Sequence, residues 1–255
     1  MISELDRAMY LMHSRSRDYG RRVTEAKNEL KRAASIGRPV VALSWGKDST
    51  VLGHLALDVF GGIDVMHMRV AHELPGGEHV EAYFRERCTV HELPPINTIA
   101  ESVEWLRKVG LPHERTKSAH QKIIKTRKKS RADMWATDNG YQVTVLGMRA
   151  QESIGRRTCF RVRGLTYQLS TGHWMSNPIG WWSASDVWAY HVAHGLPYHR
   201  LYDCEWAGRT REWLRSTGWL YTDGADRGHI SWLRRHFPEQ YRLLVEAFPR
   251  VASLS

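Results

Sequence analysis

A doubly wound α/β fold is predicted: a mostly parallel five-stranded sheet with helices on both faces, followed by a small helical C-terminal extension. Three observations predict it. Residues 39–43 (Pro-Val-Val-Ala-Leu) and 142–146 (Gln-Val-Thr-Val-Leu) are short apolar runs of the kind buried on both faces of a parallel sheet. Strand-like runs alternate with stretches whose apolar residues recur at helical spacing, as crossover connections require. Both apolar runs end in small or polar residues, Ser44 and Gly147, at the carboxyl ends where such sheets hold ligands.

Each element has its own signal. In residues 4–34 the apolar positions Leu5, Met9, Tyr10 and Met12, then Val23, Ala26 and Leu30, describe one or two surface helices ended by Gly37 and Pro39. The strand at 39–43 leads into a helix carrying Val51, Leu52, Leu55 and Val59. Gly61-Gly62 breaks that helix, and residues 63–70 alternate as a second strand. Pro75-Gly76-Gly77 reads as a loop, 78–87 as a helix and 89–93 as a third strand. A long helical insertion over 98–139 precedes the fourth strand. Residues 161–175 read as a β-hairpin, with Thr166, Gln168 and Ser170 alternating before a turn at Thr171-Gly172. Ser183 with Asp186 three residues on is a capping box, which makes Asp186 a helix cap rather than a catalyst. Residues 205–255 read as three short helices, one opening at Pro238. The organisation expected is an N-terminal helical segment (1–37), an α/β domain (38–203, with the insertion 98–139) and a C-terminal extension (204–255).

Composition narrows the function classes. A chain of 255 residues, 42% hydrophobic and 25% charged, has the make-up of an ordinary globular protein. No run of about 18 apolar residues is present, so no membrane span is expected. The first residues are charged and lack an apolar core, so no secretory leader is expected. Cys88, Cys159 and Cys204 form no Cys-x-x-Cys pair and are odd in number, which fits free thiols in a reducing cytoplasm. The net charge of +10 points to an anionic partner, a nucleotide or a nucleic acid.

The chemistry concentrates in Ser44-Trp45-Gly46-Lys47-Asp48-Ser49-Thr50, placed between a strand and a helix. The first N–H groups of a helix lack internal partners and carry partial positive charge, so this turn suits a phosphate or pyrophosphate. Gly46 permits close backbone approach, Ser44, Ser49 and Thr50 offer hydroxyls, and Lys47 adds a full charge. Asp48 is out of place in a pure anion trap, and a Mg²⁺ ion bridging phosphate to carboxylate would account for it. A Walker A loop is excluded: Val41 stands where its first Gly belongs, and Asp48 where Ser or Thr must follow the Lys. A second stretch, Gly147-Met148-Arg149-Ala150-Gln151-Glu152-Ser153-Ile154-Gly155-Arg156-Arg157, offers planar arginine forks for phosphate oxygens. There Glu152 and Ser153 can fix those forks or touch a sugar hydroxyl.

Ser-x-Gly-Lys-Asp-Ser resembles the PP-loop of ATP pyrophosphatases, of the adenine nucleotide alpha-hydrolase-like superfamily. The chain looks most like the branch of phosphoadenosine phosphosulfate (PAPS) reductases and related sulfur-transfer proteins. In that family the second loop residue is usually Gly, and here it is Trp45. The second stretch is similar to the family's Gly-x-Arg-x-x-x-Ser-x-x-Arg pattern. A third match lies in Pro178, Ile179, Trp182, Asp186, Val187, Trp188, Tyr190, Leu196, Pro197, Leu201 and Tyr202. The resemblance spans roughly residues 38–203. It implies an adenine nucleotide, ATP or PAPS, bound by Ser44 to Thr50 with Gly147, Arg149, Glu152, Ser153, Arg156 and Arg157. Lys47, Asp48 and Arg149 would carry the chemistry, and Asp48 would help place Mg²⁺.

The chain departs from a reductase. Sulfonucleotide reductases of the family use a Cys in a C-terminal Glu-Cys-Gly-(Leu or Ile)-His segment, and no Cys follows Cys204 here. Cys204 lies in Asp203-Cys204-Glu205-Trp206, without the Gly and His, and no paired cysteines are present for an iron–sulfur cluster. Three functions are therefore open. The first is a PP-loop enzyme that adenylates an acceptor and releases pyrophosphate, in nucleic-acid modification or sulfur transfer. The second is a PAPS or adenylyl-sulfate reductase working through Cys204 or a partner thiol. The third is a non-catalytic nucleotide- or nucleic-acid-binding protein. The single-signed run Lys122, Lys125, Arg127, Lys128, Lys129 and Arg131 makes DNA or tRNA a candidate partner, beside a sulfur-donor or thiol protein. Trp181 or Trp182 offers a stacking surface for a base, against the simpler reading of core packing. The spacing of His191, His194, His199 and Cys204 could hold a metal, again against ordinary packing.

Overall fold

The computed structural model describes residues 2–69, 73–95, 98, 100, 101, 104, 132–204, 211–214 and 229–254. The basic run Lys122 to Arg131 lies outside the described residues. Two compact units are present. One comprises residues 1–68, 77–93 and 132–199, the other residues 69–76, 94–131 and 200–255.

The first unit opens with α1 (Glu4–Ser14) and α2 (Arg17–Ile36), whose caps are built in. Ser3 Oγ accepts from the Asp6 N–H at 3.1 Å and Ser16 Oγ from the Tyr19 N–H at 3.3 Å. Then come β1 (Pro39–Ala42), α3 (Lys47–Phe60), β2 (Asp64–Met68), α4 (Glu78–Arg85) and β3 (Thr89–Leu93). Beyond the insertion lie β4 (Val143–Leu146), α5 (Ile154–Arg163), β5 (Thr166–Gln168), β6 (Trp174–Ser176) and α6 (Ala184–His194).

Among the described residues the sheet has six strands rather than five, in the order β3-β2-β1-β4-β6-β5. All neighbours pair in parallel except β5 with β6. The expected hairpin therefore supplies two strands, one of which extends the parallel sheet through β4. Its first residues are helical instead: α5 runs to Arg163 before Gly164, and only Phe160 of that helix is buried. On one face of the sheet Val40, Met66 and Leu93 pack with Ala136 and Tyr141. The intervening Val41 and Val65, also buried, point to the opposite face.

Asp186 fixes the N-terminal helices to α6. Its Oδ2 accepts from the Ser183 N–H and Oγ, each at 2.7 Å, and completes the expected capping box. Its Oδ1 accepts from His13 Nε2 at 2.7 Å and Arg22 Nη1 at 2.8 Å. Burial alone would raise this carboxyl, but His13, Ser183 and Arg22 hold it below its ordinary pKa.

In the second unit, α7 (His229–His236) and α8 (Pro238–Ala247) pack around Leu233, Phe237, Leu244 and Val251. Pro238 opens α8 as expected. Among the described residues no helix is long and apolar enough to cross a membrane.

Candidate functional site

β1 and β4 pair residue for residue, Ala42 opposite Leu146, so the chain leaves both strands at one edge of the sheet. Gly46 caps α3, and its carbonyl accepts from the Thr50 N–H at 2.9 Å, Ser49 Oγ at 2.9 Å and Thr50 Oγ1 at 3.0 Å. Ser49 Oγ in turn receives the Ser44 N–H at 3.2 Å and lies 3.3 Å from Ser44 Oγ. The hydroxyls of Ser49 and Thr50 thus hold the turn in shape, while Ser44 is exposed at its rim.

Trp45 takes a left-handed φ of 55°, the only non-glycine residue to do so among those described. That conformation costs a bulky residue on the order of 1–2 kcal/mol. Its ring is buried, stacked on His67 at 4.5 Å and on Phe84 at 6.0 Å between centroids. Aromatic burial of this size outweighs the strain. The side chain is therefore committed to the core, and only the backbone of Trp45 faces the anion side of the turn.

The second loop meets the first directly. A Cβ on Gly147 would lie 3.1 Å from the backbone of Asp48 and of Ser49, so a side chain there would push the two backbones apart by a few tenths of an ångström. Two residues on, Arg149 Nε donates to Asp48 Oδ1 at 2.6 Å, and Lys47 Nζ donates to Asp48 Oδ2 at 3.0 Å. The Lys47 and Arg149 side chains are each 3% exposed. Burial pushes the Asp48 carboxyl up, yet the two cations overcome it and hold it below its ordinary value. Two buried cations and the positive end of α3 against one carboxylate leave a net positive site, suited to an anion.

The remaining arginine-loop residues form a relay behind this centre. Arg149 Nη1 donates to Gln151 Oε1 at 2.9 Å, which also accepts the Ala184 N–H at 2.8 Å. Glu152 accepts the Arg149 N–H at 3.1 Å and pairs with Arg156. Ser153 caps α5, taking the Arg156 N–H at 3.1 Å. This stretch is a short 3₁₀ turn followed by α5, and Arg157 lies exposed on that helix.

A family model described as the phosphoadenosine phosphosulfate reductase domain matches residues 38–221. The chain belongs to this family. Among solved structures it is similar to PAPS reductase from Candida auris in its phosphate complex: 17% identity, TM-score 0.50, 70% of this chain and 84% of that one covered. It is also similar to FMN adenylyltransferase from Candida glabrata in complex with ATP, at 14% identity and TM-score 0.48, covering 78% of this chain and 64% of that one. At 17% identity the likeness to the Candida auris structure speaks to fold alone. No functionally curated protein matches the sequence.

In this PAPS reductase-family chain the residues do not fit a protein-held magnesium ion. Asp48 is the only carboxylate of the turn, and both its oxygens already accept from cations that would repel Mg²⁺. Among the described residues no three His, Cys, Asp or Glu side chains converge as a metal site. The histidines with metal-like spacing do other work. His191 Nε2 lies 2.9 Å from the Lys47 carbonyl, and His194 stacks on Tyr190 at 4.1 Å.

His191 and Gln151 stand at the site although no motif in the sequence places them there. Burial lowers the His191 pKa to about 4, against the opposing pull of the Lys47 carbonyl, so the ring is neutral and donates from Nε2. Its one-turn spacing from His194 hides this role behind a metal-like pattern. Gln151 has no local signal beyond lying next to the arginines.

Proposed function

We propose that this protein binds ATP across the start of α3 and transfers its adenylate to an acceptor oxygen, releasing pyrophosphate. The observation that carries the reading is the meeting of Lys47 and Arg149 at Asp48, at 3.0 Å and 2.6 Å, beside the helix N-terminus. An acceptor oxygen attacks the α-phosphorus, the bond from that phosphorus to the bridging oxygen breaks, and the electron pair leaves on pyrophosphate. The opening N–H groups of α3, Ser44 and Lys47 hold that leaving group as its charge grows. Arg149 and Arg156 hold the α-phosphate. A nucleophile brought by a partner or the substrate then displaces AMP. The charge of +10 favours a nucleic acid, DNA or tRNA, as acceptor.

The test is product analysis after incubation with ATP, magnesium and nucleic acid. Pyrophosphate is the expected product, lost in Lys47→Ala; ADP and orthophosphate would overturn the reading.

Family membership supports a second reading, reduction of a sulfonucleotide. Burial and Asp203 raise the Cys204 pKa, which disfavours the thiolate such chemistry needs. Sulfite release from PAPS with a thiol donor, lost in Cys204→Ala, would establish this alternative.

A further inference from the structure

From the structure we infer that the outer face of α5, together with Trp181, is the docking surface for a single-stranded nucleic acid. It deepens the proposed function by naming the acceptor's class, and rests on that function only for the chemistry, not for binding.

Residues 153–185 contain four arginines and no Asp or Glu. Arg156 is paired with Glu152 and Arg163 sits over the Tyr167 ring at 4.3 Å. Arg157 and Arg161, in contrast, are exposed and have no carboxylate partner among the described residues. With Ile154 and Thr158 they recur at helical spacing, so one face of α5 presents them together, with the buried Phe160 at its flank, about 60° round the helix from Arg157. Arg157 and Arg161 stand one turn apart, about 6 Å along the axis. A lone arginine run is a solvated face in most proteins; the apolar groups beside this one set it apart.

Ile154 is 82% exposed, and the Trp181 ring, 46% exposed, meets Phe160 edge to face at 6.1 Å. Its neighbour Trp182 is 2% exposed and belongs to the core, so the structure separates the two tryptophans. Arginine forks carry donors only, and the occupant must bring acceptors on an anionic scaffold. An open indole face asks for a flat π-surface. A nucleic-acid strand supplies both at once. It must be single-stranded, because the bases of a duplex are stacked on one another and closed to the indole. The same helix is tied through Ser153 and Glu152 to Arg149, so a strand on this face runs toward the anion site.

The experiment is fluorescence anisotropy with a labelled single strand of about 20 nucleotides, without ATP, across a salt series. Wild-type binding should weaken as salt rises. Trp181→Ala should weaken binding about tenfold at fixed salt. Arg161→Gln should lower the slope of log K against log salt by about 0.7. Pyrophosphate binding, followed by calorimetry, should be unchanged in both variants, showing that they fold. Variants that bind the strand like wild type, a wild type that binds only duplex, or concentration-dependent self-association lost in Trp181→Ala would each overturn the assignment. Strand binding that behaves as stated while ATP gives no pyrophosphate would sink the adenylation reading and leave this surface standing.

Discussion

Arg149, three residues past β4, donates its Nε to Asp48 Oδ1 at 2.6 Å, joining the end of one strand to the start of the helix beyond another. On the proposed function this carboxylate competes with a bound anion for Lys47 and Arg149, whose donors it already accepts.

Asp48→Asn removes the competitor and raises the local charge by one. In metal-free buffer, calorimetry should show pyrophosphate binding about tenfold tighter than wild type. Folding stability should fall at the same time, because Lys47 and Arg149 lose a buried counter-ion. Weaker metal-free binding in the variant would show that Asp48 assists the anion rather than competing with it.

His191 predicts a pH dependence of folding. Its pKa is lowered from 6.5 to about 4 in the folded protein, so the unfolded chain binds the extra proton between those values. Stability is then full above about pH 6.5 and falls as pH drops toward 4, by on the order of 3 kcal/mol. Urea titrations at several pH values should show this slope in wild type and a flatter one in His191→Gln. An equal slope in both would remove His191 from the account.

Trp45→Gly sets two effects against each other. Glycine relieves about 1–2 kcal/mol of backbone strain but gives up the burial of a large ring, about 3–5 kcal/mol. The variant should be less stable by about 2 kcal/mol in chemical denaturation, with pyrophosphate affinity retained because the ring faces away from the turn. A variant as stable as wild type would mean the stacking on His67 and Phe84 contributes little.

Asp186→Ala should cost about 2 kcal/mol, most of it from the lost cap, since His13 and Arg22 are each about a third exposed and can rehydrate. Pyrophosphate binding should survive. Glu in place of Asp186 should recover little, because the longer arm cannot serve Ser183 and Arg22 from one buried position.

β1 and β4 were legible as short apolar runs beside Gly or Pro, β2 by its alternation after Gly61-Gly62, and β3 falls on the expected residues 89–93. The meeting of the two loops was legible too, since parallel neighbours deliver their trailing loops to a common edge. α5 was hidden: Gly155 stands in its first turn, and four of its ten residues are arginines that read as a phosphate-binding stretch. The hairpin's alternation was real, but its first three residues, 161–163, belonged to that helix. The role of His191 depends on a backbone carbonyl 144 residues away, which no spacing rule encodes.

The left-handed turn at Trp45 has a mechanical consequence. Where glycine would leave the loop free to breathe on its own, the indole here is wedged between a strand side chain of β2 and the Phe84 ring of α4. The ring thereby couples α4, through packing, to the peptide just ahead of Gly46.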